Sequence, residues 1–244
     1  MPRFFADKEE ITENSIVIKG QDAFHIARSL RMAVGDALTV SDGEGVEYSC
    51  VLETIRDEEC TCKILSSARS EREPSSTIVL YMAYPKADKL ETVIQKAVEL
   101  GASRIVPFES SRCIKRPSSD KAEKNTVRLN KIAKEAAKQC GRAIIPSVDS
   151  PLKFADMIAD TQKYALRLFC YEGEGMRSLK DVLNENGNPE SIAVIVGSEG
   201  GFSPEEAKEI IGSGAVGVNL GPRILRCETA PAYALASISY HFEL

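Results

Sequence analysis

The chain of 244 residues contains no tryptophan and only two histidines, so a histidine-based metal or hydrolase site is hard to assemble. Its seven cysteines are odd in number and lack the paired spacing of a zinc site. The sequence therefore predicts no metal. The thiols are predicted to be reduced, as in a protein from a reducing compartment.

Long apolar runs and nucleotide-binding motifs are also missing. No apolar run approaches the roughly 20 residues of a membrane span, and the N-terminus does not resemble a signal peptide. The patterns G-x-x-x-x-G-K-[ST] and G-x-S-x-G are absent, which disfavours an ATPase and a serine hydrolase. Residues 212–217 satisfy G-x-G-x-x-G, but they follow a predicted helix instead of a strand. The sequence thus predicts a cytoplasmic protein with no membrane partner and no dinucleotide site there.

Positive charge is concentrated in one segment. The whole chain has a formal net charge of −5, yet residues 112–142 contain ten lysines and arginines against three acidic residues. A basic segment on an acidic body favours local contact with RNA or another polyanion. The alternative, a solvated helix face, would explain some of these lysines.

The hydrophobic periodicity changes near residue 68. Residues 1–68 contain short apolar runs with partial alternation, which predict a small β-barrel or sandwich with strands at 15–18, 37–40, 46–55 and 60–65 and one helix at 21–31. Residues 69–76 are polar, include Pro74 and are interpreted as a linker. From 77 to 244, apolar runs alternate with helical patterns, so we expect an α/β domain with a mainly parallel sheet covered on both faces.

The elements of this second domain can be placed individually. Continuous apolar runs predict strands at 78–84, 104–108, 164–170, 192–196 and 215–220. Helical spacing predicts helices around 90–98, 122–140, 179–183, 204–211 and 229–242. The helix at 204 begins with the capping box S-P-E-E, in which proline occupies the first helical position.

Two unusual turns follow neighbouring strands in this pattern. Residues 197–201 are glycine-rich and contain one charge, Glu199, while residues 219–230 contain Arg223, Arg226 and Glu228. Because parallel strands end at one edge of their sheet, we expect both turns to line one crevice. Ordinary alternatives are a tight turn with an exposed glutamate and a solvated turn with a chance cluster of charges.

These turns resemble a paired family signature. The strings G-S-E-G-G-F-S at 197–203 and L-G-P-R-I-L-R-C-E-T-A at 220–230 are similar to those of the ribosomal RNA small subunit methyltransferase E family, which belongs to the SPOUT methyltransferases. Further agreement comes from P-K-A-D-K-L at 85–90 with Q-K-A-V-E-L-G at 95–101, Q-C-G-R at 139–142 with Pro146, and P-R-F-F at 2–5 with H-I-A-R-S-L-R at 25–31. The resemblance covers nearly the whole chain.

Three positions depart from the family pattern. Ser198 stands where proline is usual, Lys138 where an acid is common, and Ser29 where an aliphatic residue is expected. The substitution at Ser198 would loosen the turn but leaves its glycines in place. None of the three removes a residue with an assigned chemical role.

The resemblance implies both a fold and a reaction. The fold is an N-terminal PUA-like RNA-binding β-barrel followed by a SPOUT domain whose C-terminal trefoil knot binds S-adenosyl-L-methionine. The reaction is methylation of N3 of a uridine in small-subunit (16S) rRNA within the assembled subunit, by a homodimer formed through the last helix. Two alternatives stay open: a non-catalytic RNA-binding assembly factor with a degenerate cofactor pocket, and a SPOUT ribose 2′-O-methyltransferase.

The resemblance also assigns cofactor-binding residues. The backbone of five residues would hold the cofactor: Gly197, Glu199, Gly200, Leu220 and Gly221. Three further residues, Ile224, Leu225 and Arg226, would close around its adenine and methionine parts.

Uracil N3 must lose a proton when it is methylated, which suggests roles for two residues. A guanidinium would stabilise the charge that develops on the uracil carbonyl oxygens, and Arg226 is our candidate. Glu228 is the weaker candidate for proton acceptor. The alternative, given equal weight, is that Glu228 only anchors its loop.

Six residues are candidates for RNA binding. Arginines that would contact phosphates are Arg112 and Arg142 in the second domain, and Arg3, Arg28 and Arg31 in the first. His25 is the sixth, with an ordinary packed histidine as its alternative.

Overall fold

The computed structural model of the chain describes residues 1–86, 89–114 and 119–244, and for residues 119–122 the backbone alone. Two residues of the family signature, Ala87 and Asp88, and residues 115–118 of the basic segment lie outside the described residues. The chain forms two compact units, residues 1–73 with 137–145 and residues 74–136 with 146–244. The first division of the chain, between residues 73 and 74, lies within the predicted linker, residues 69–76. Residues 137–145, which the sequence assigned to the second domain, belong to the first unit.

The first unit contains a five-stranded sheet. Its strands are β1 Arg3–Phe5, β2 Ser15–Lys19, β3 Ala37–Ser41, β4 Val46–Ile55 and β5 Glu59–Arg69, in the order β1-β3-β4-β5-β2. The pair β1–β3 is parallel and the other pairs are antiparallel. A 3-10 turn, Lys8–Glu10, follows β1, and helix α1, Gly20–Phe24, continues into a π-helical turn, His25–Ser29.

All five strands and the helical segment bury apolar side chains in one core. Its members include Phe4, Ile16, Ala23, Ile26, Leu38, Leu52 and Cys62. The four predicted strands are confirmed, because alternating side chains place one apolar face of each in this core. The short strand β1 was not predicted, and β5 extends beyond its predicted end at residue 65, because residues 66–69 pair with the start of β4.

The second unit contains a seven-stranded sheet. Its strands are β6 Thr77–Ala83, β7 Arg104–Phe108, β8 Ser147–Val148, β9 Leu166–Cys170, β10 Arg177–Ser178, β11 Ser191–Val196 and β12 Val216–Asn219, in the order β10-β12-β9-β11-β6-β7-β8. Every neighbouring pair is parallel. The predicted parallel sheet is therefore confirmed, although β8 and β10, two residues each, were not predicted.

In the described ranges, five helices lie between these strands along the chain, and a sixth follows the last strand. They are α2 Lys89–Glu99, α3 Ser119–Cys140, α4 Phe154–Thr161, α5 Leu179–Glu185, α6 Pro204–Gly212 and α7 Thr229–Glu243. The predicted helices are confirmed, and α4 is an additional one. The apolar positions of α2 are buried as their spacing predicted: Leu90, Val93, Ile94, Ala97 and Val98. The trefoil knot concerns the threading of the chain between strands and stays a prediction.

Other features of the described part of the chain bear on its chemistry. None of its helices is long and apolar enough to span a membrane. No three histidine, cysteine or acidic side chains within it are grouped to hold a metal ion. All seven cysteines are free thiols.

Candidate active site

The two turns singled out in the sequence lie together at the carboxyl edge of the parallel sheet. We call residues 197–201, which follow β11, the glycine turn, and residues 219–228, which follow β12, the arginine loop. A cavity of about 660 Å³ is lined by residues 196–202, 224–227 and 170–173, together with Arg112 and Ala230. The predicted crevice is therefore present, and residues after β9 also contribute to it.

The glycine turn is shaped by close backbone contacts. The N–H of Gly201 donates to the carbonyl oxygen of Ser198 at 2.9 Å. A Cβ added to Gly200 would lie 3.0 Å from both the Cβ and the carbonyl oxygen of Arg112. The absence of a side chain at Gly200 thus lets residues 110–114 pack directly against the turn, and it leaves the backbone of the turn accessible from the cavity.

A capping box holds the start of α6 behind the glycine turn. The Ser203 hydroxyl accepts from the N–H of Glu206 at 3.2 Å, and the Glu206 carboxylate accepts from the N–H of Ser203 at 2.9 Å. This confirms the predicted box. The same carboxylate accepts from the N–H and the hydroxyl of Ser111, at 2.6 and 2.9 Å. The box therefore also anchors the loop that carries Arg112.

The arginine loop begins with a left-handed glycine, Gly221, at φ +101°, a conformation that other residues rarely adopt. Its N–H donates to the side-chain oxygen of Asn219 at 3.3 Å. The carbonyl oxygen of Arg226 accepts from the N–H groups of Thr229 and Ala230, at 2.8 and 2.9 Å, and so starts α7. These bonds hold the loop at the cavity through its backbone.

Two exposed side chains of the arginine loop indicate a surface that contacts a ligand. Ile224 is 83% exposed, an unusual state for a large apolar residue, and it lines the cavity. Arg226 is also exposed and lines the cavity. Within the described ranges its guanidinium has no hydrogen-bond or ion-pair partner. The loop thus places the apolar side chain of Ile224 and the available guanidinium of Arg226 at the same cavity.

Lys89, at the start of α2, connects the two turns. Its Nζ lies 3.2 Å from Oε1 of Glu199 in the glycine turn and 3.2 Å from Oε2 of Glu228 in the arginine loop. Nζ is also 3.7 Å from Sγ of Cys227, and the Cys227 thiol donates to Glu228 at 3.1 Å. The N–H of Lys86 donates to Glu199 at 3.2 Å.

These contacts change the acidity of the groups involved. Partial burial disfavours ionisation of Glu199, but hydrogen bonds from its own N–H, from Lys89 and from the N–H of Lys86 outweigh burial and keep the pKa of Glu199 below its ordinary value. The Cys227 thiol, the Glu228 N–H and Lys89 likewise lower the pKa of Glu228. Burial, followed by the hydrogen bond to Glu228, raises the pKa of Cys227 to about 12. Both carboxylates are therefore ionised and the thiol is neutral at neutral pH.

The remaining predicted cofactor-binding residues also lie at this edge. Gly197 and Glu199 line the 660 Å³ cavity with Gly200, and Leu225 lines it from the other side. Leu220 and Gly221 line a neighbouring cavity of about 190 Å³, which shares Leu225 and Ile224 with the larger one. All eight residues assigned to the cofactor thus border two adjoining cavities.

The predicted RNA-binding residues of the first unit differ from one another in exposure: three are exposed, whereas Arg3 is largely buried. His25, Arg28 and Arg31 are exposed around the π-helical turn, and Arg28 is paired with Asp57 at 2.5 Å. The exposed His25 ring also lies edge-on to Phe4, with ring centroids 6.5 Å apart, and its contact with RNA stays a prediction. Arg3 pairs with Glu47 at 2.8 Å and its side chain is 12% exposed.

Arg142 and Arg112 differ from the expectation of freely exposed phosphate contacts. The Arg142 side chain is 5% exposed and donates to Glu73 at 2.6 Å, so its observed role is to hold two segments of the first unit together. Arg112 is exposed but lines the 660 Å³ cavity and donates to the carbonyl oxygen of Gly200 at 3.2 Å. Contact of either residue with RNA stays a prediction.

Several residues of the site were not identified from the sequence. Lys89 and residues 171–173 are examples. Tyr171 stacks on Phe169 with ring centroids 5.2 Å apart, and a Cβ on Gly173 would lie 2.3 Å from the Tyr171 ring. Their position along the chain could have identified these residues, because each segment follows a parallel strand and therefore emerges at the same sheet edge as the two turns.

Two family models match the chain. One describes an RNA methyltransferase domain and matches residues 71–239. The other describes an RNA methyltransferase PUA domain and matches residues 18–65. The methyltransferase model covers all the described residues that line the two cavities.

Curated relatives extend over the whole chain. The chain is 33% identical to the ribosomal RNA small subunit methyltransferase E of Bacillus subtilis, over 100% of this chain and 98% of that protein. It is 31% identical to the protein of the same name from Synechocystis sp., over 97% of this chain and 77% of that protein.

Solved structures share the same fold. A ribosomal RNA small subunit methyltransferase E from Neisseria gonorrhoeae, bound to S-adenosyl methionine, matches with a TM-score of 0.87 and 27% identity over 98% of this chain and 97% of that chain. A putative methyltransferase from Legionella pneumophila, in complex with the same cofactor, matches with a TM-score of 0.87 and 29% identity over 98% and 96% of the two chains.

Proposed function

Because the chain belongs to the ribosomal RNA small subunit methyltransferase E family, we propose that it transfers a methyl group from S-adenosylmethionine to N3 of a uridine in 16S rRNA of the assembled small subunit. The observation that carries the proposal is that the glycine turn and the arginine loop together line the 660 Å³ cavity. Both turns carry the family signature, and the parallel sheet brings them together.

The chemistry of the cavity suits this cofactor. A volume of about 660 Å³ is in the range of small-molecule sites, which span roughly 300–1,000 Å³. Ile224 and Leu225 provide apolar surface for a purine, and Gly200, which is exposed, brings backbone without a side chain of its own to the cavity. The carboxylate of Glu199 in the cavity lining favours a cationic or hydroxyl-bearing ligand over a phosphate. The residues present therefore fit the cofactor.

Two sets of residues would hold the cofactor. Backbone groups of the glycine turn and of Leu220 and Gly221 would bind its polar parts, while Ile224 and Leu225 would enclose the adenine. When bound, S-adenosylmethionine supplies a methyl group activated by its attachment to a positively charged sulfur.

The exposed guanidinium of Arg226 fits the second substrate. Uracil N3 loses its proton to solvent during methylation, and the negative charge that develops on the ring spreads to the two neighbouring carbonyl oxygens. Donors aimed at developing charge in a water-poor site are worth roughly 100- to 1,000-fold in rate. Arg226 lines the cavity without a partner among the described residues, so its N–H groups remain available to those oxygens.

The rest of the chain supports contact with ribosomal RNA. Exposed His25, Arg28 and Arg31 lie close together on the unit that contains the PUA match, residues 18–65. We propose that they contact rRNA phosphates, and that the protein works in the cytoplasm, where small subunits are assembled.

We further propose that the protein is a homodimer formed through α7. This helix leaves large side chains uncovered, with Tyr233 44% and Tyr240 74% exposed. Light scattering after gel filtration would test this, because a monomer at micromolar concentration would contradict the dimer without affecting the proposed reaction.

Methyl transfer to small ribosomal subunits that lack the modification is the decisive experiment. We expect the purified protein, with labelled S-adenosylmethionine, to methylate these subunits, and nucleoside digestion with mass mapping to identify 3-methyluridine. Free 16S rRNA serves as the comparison, and we expect it to be a poorer substrate than the assembled subunit.

Other outcomes would replace the proposal. A 2′-O-methylated nucleoside would identify a ribose methyltransferase. RNA binding without a saturable heat of S-adenosylmethionine binding in calorimetry would identify a non-catalytic assembly factor.

A further inference from the structure

One ammonium group joins the two halves of the cavity wall. Lys89 Nζ lies 3.2 Å from a carboxylate oxygen of Glu199 and 3.2 Å from one of Glu228. Glu199 follows β11, whereas Glu228 follows β12 and directly precedes α7. The two loops therefore share a cation that neither of them contains.

Glu228 is tied on more than one side. Besides Lys89, its carboxylate accepts from the Cys227 thiol at 3.1 Å. The side chains of Lys89 and Glu228 are each about one third exposed, at 34% and 32%. Water screens such a pair only partly, so it holds its geometry better than a fully exposed one.

We propose that Lys89 is a positioning residue that holds the arginine loop against the glycine turn, and that Glu228 is its counter-ion instead of the proton acceptor. This inference rests on the proposed methyl transfer. An effective general base needs a pKa near the working pH. The bonds from Cys227, the Glu228 N–H and Lys89 lower the pKa of Glu228, which makes its carboxylate a weak base.

We call the contacts of Lys89 with Glu199 and Glu228 the bridge. Its functional importance comes from the location of Arg226. Arg226 is two residues before Glu228, so a displacement of Glu228 would move the guanidinium away from the uracil. A misplacement of about 1 Å in an active site can lower the rate about 100-fold. Holding Glu228 is thus a means of holding Arg226.

Charge balance around the bridge explains why the cation is needed. Among the described residues, the charged and titratable groups that contact Lys89 are Glu199, Glu228 and the neutral thiol of Cys227. Without the ammonium, the carboxylates of the two turns would face each other with no charge between them. Like charges repel, so we expect the arginine loop to move outward.

Four variants test the bridge: Lys89→Met, Lys89→Arg, Glu228→Gln, and the double variant Lys89→Met/Glu228→Gln. We would measure S-adenosylmethionine binding by calorimetry, kcat and KM for methyl transfer across pH 6–9, and the melting temperature. Lys96→Met is the matched control, since Lys96 lies on the same helix and pairs with Glu99 at 2.8 Å, away from the cavity.

We expect Lys89→Met to weaken cofactor binding about ten-fold and to lower kcat/KM by about 100-fold, with partial recovery in Lys89→Arg. Glu228→Gln loses the ion pair, but its amide oxygen can still accept from Lys89. It should therefore weaken cofactor binding less than Lys89→Met does, keep kcat within about ten-fold of the wild type and keep the same pH profile. The double variant should be no worse than the poorer single variant, because both changes break one interaction. Lys96→Met should match the wild type.

Two results would overturn the inference. Unchanged cofactor binding and kcat in Lys89→Met would remove the positioning role. A loss of about 1,000-fold or more in kcat for Glu228→Gln with intact cofactor binding, together with loss of the acidic limb of the pH profile, would make Glu228 the base. If Lys89→Met does not fold, Glu228→Gln weakens the same bridge from the other side, and wild-type cofactor binding and kcat in that variant would likewise remove the positioning role. Failure of the proposed function would instead be seen in the wild type, as absence of cofactor binding or methyl transfer.

Discussion

Arg112 donates a hydrogen bond of 3.2 Å from Nη1 to the carbonyl oxygen of Gly200. This bond attaches the loop after β7 to the glycine turn after β11, two strands that are separated by β6 in the sheet. The geometry of the turn therefore depends on a loop that is distant in sequence, and substitutions at the contact should affect the cavity.

Gly200→Ala should disturb this contact. The new Cβ would lie 3.0 Å from two atoms of Arg112, so the turn or the loop must shift. We expect S-adenosylmethionine binding, measured by calorimetry, to weaken about ten-fold, equivalent to about 1.4 kcal/mol. Gly212→Ala is the control, because nothing lies within 4 Å of a Cβ at that helical position. Wild-type affinity in Gly200→Ala would show that the close packing at Arg112 is dispensable.

Arg226→Ala should abolish most methyl transfer without affecting folding. Because the side chain is exposed and bonded to nothing in the described part of the chain, the free energy of unfolding should change by less than about 0.5 kcal/mol. The initial rate of methyl transfer should fall by roughly 100- to 1,000-fold. Arg223→Ala, in the same loop but lining only the smaller cavity, should lose much less. Full activity in Arg226→Ala would refute the assigned role.

The stability of the second unit should fall in acid because of Asp160. Partial burial disfavours ionisation of Asp160, but hydrogen bonds from Lys163, Tyr81 and Arg104 outweigh burial and hold its pKa at about 2, below the ordinary 3.8. A lowered folded-state pKa contributes stability that is present above pH 3.8 and is lost as the pH falls towards 2. The contribution is up to about 2 kcal/mol. Denaturant unfolding at pH 7, 5, 4 and 3 would measure it.

Tyr81→Phe tests that network directly. The buried Tyr81 hydroxyl donates to Asp160 at 2.6 Å, and its removal should cost about 1 kcal/mol at pH 7 and less as the pH falls towards 2. Tyr84→Phe is the matched control, since Tyr84 accepts from the neutral side chain of Asn125 at 2.9 Å. Its cost should not vary over this pH range. Equal pH dependence in the two variants would contradict the assignment to Asp160.

Glu73→Ala should destabilise the first unit strongly. Glu73 accepts from Arg142, whose side chain is 5% exposed, and from the N–H groups of Ala143 and Ile144. Removing this carboxylate takes one charged partner from a buried guanidinium and leaves two backbone N–H groups without their acceptor, which costs roughly 1–3 kcal/mol. Glu71→Ala, at an exposed neighbouring position, should change the free energy of unfolding by less than about 0.5 kcal/mol. A small effect of Glu73→Ala would show that Arg142 has an adequate second partner.

Ser198→Ala should stabilise the protein slightly. Ser198 is 6% exposed, and its buried hydroxyl oxygen has no hydrogen-bond partner among the described residues. Removing an unsatisfied buried hydroxyl should raise the free energy of unfolding by about 1 kcal/mol. Thermal unfolding would measure the change. A lower melting temperature would indicate that the hydroxyl binds a buried water.

Local patterns were sufficient for much of the fold. The spacing of Leu90, Val93 and Ala97 predicted α2, and the Ser203–Glu206 box predicted the start of α6, because both depend on residues within one or two turns. The extension of β5 and the short strands β1, β8 and β10 were not predicted. They exist because a neighbouring strand supplies their hydrogen bonds, and that neighbour is distant in sequence.

Local patterns likewise predicted only part of the candidate site. The glycine turn and the arginine loop were recognised because their residues are contiguous and the parallel sheet brings strand ends to one edge. The bridge from Lys89 to Glu199 and Glu228, and the burial of Arg142 against Glu73, could not be recognised. In each case the partners are far apart in the chain and none of them is unusual alone.

By itself, the sequence of this protein determined the α/β alternation, the two turns that form the candidate site and the family to which the chain belongs, because periodicity and contiguous motifs record local requirements. Only the tertiary structure decided which charges meet. It placed Lys89 between two glutamates, removed Arg142 from solvent and left Arg226 available at the cavity. The physical reason is that the energy of a charge depends on its burial and on its partners, and both are set by contacts between segments that the linear sequence keeps apart.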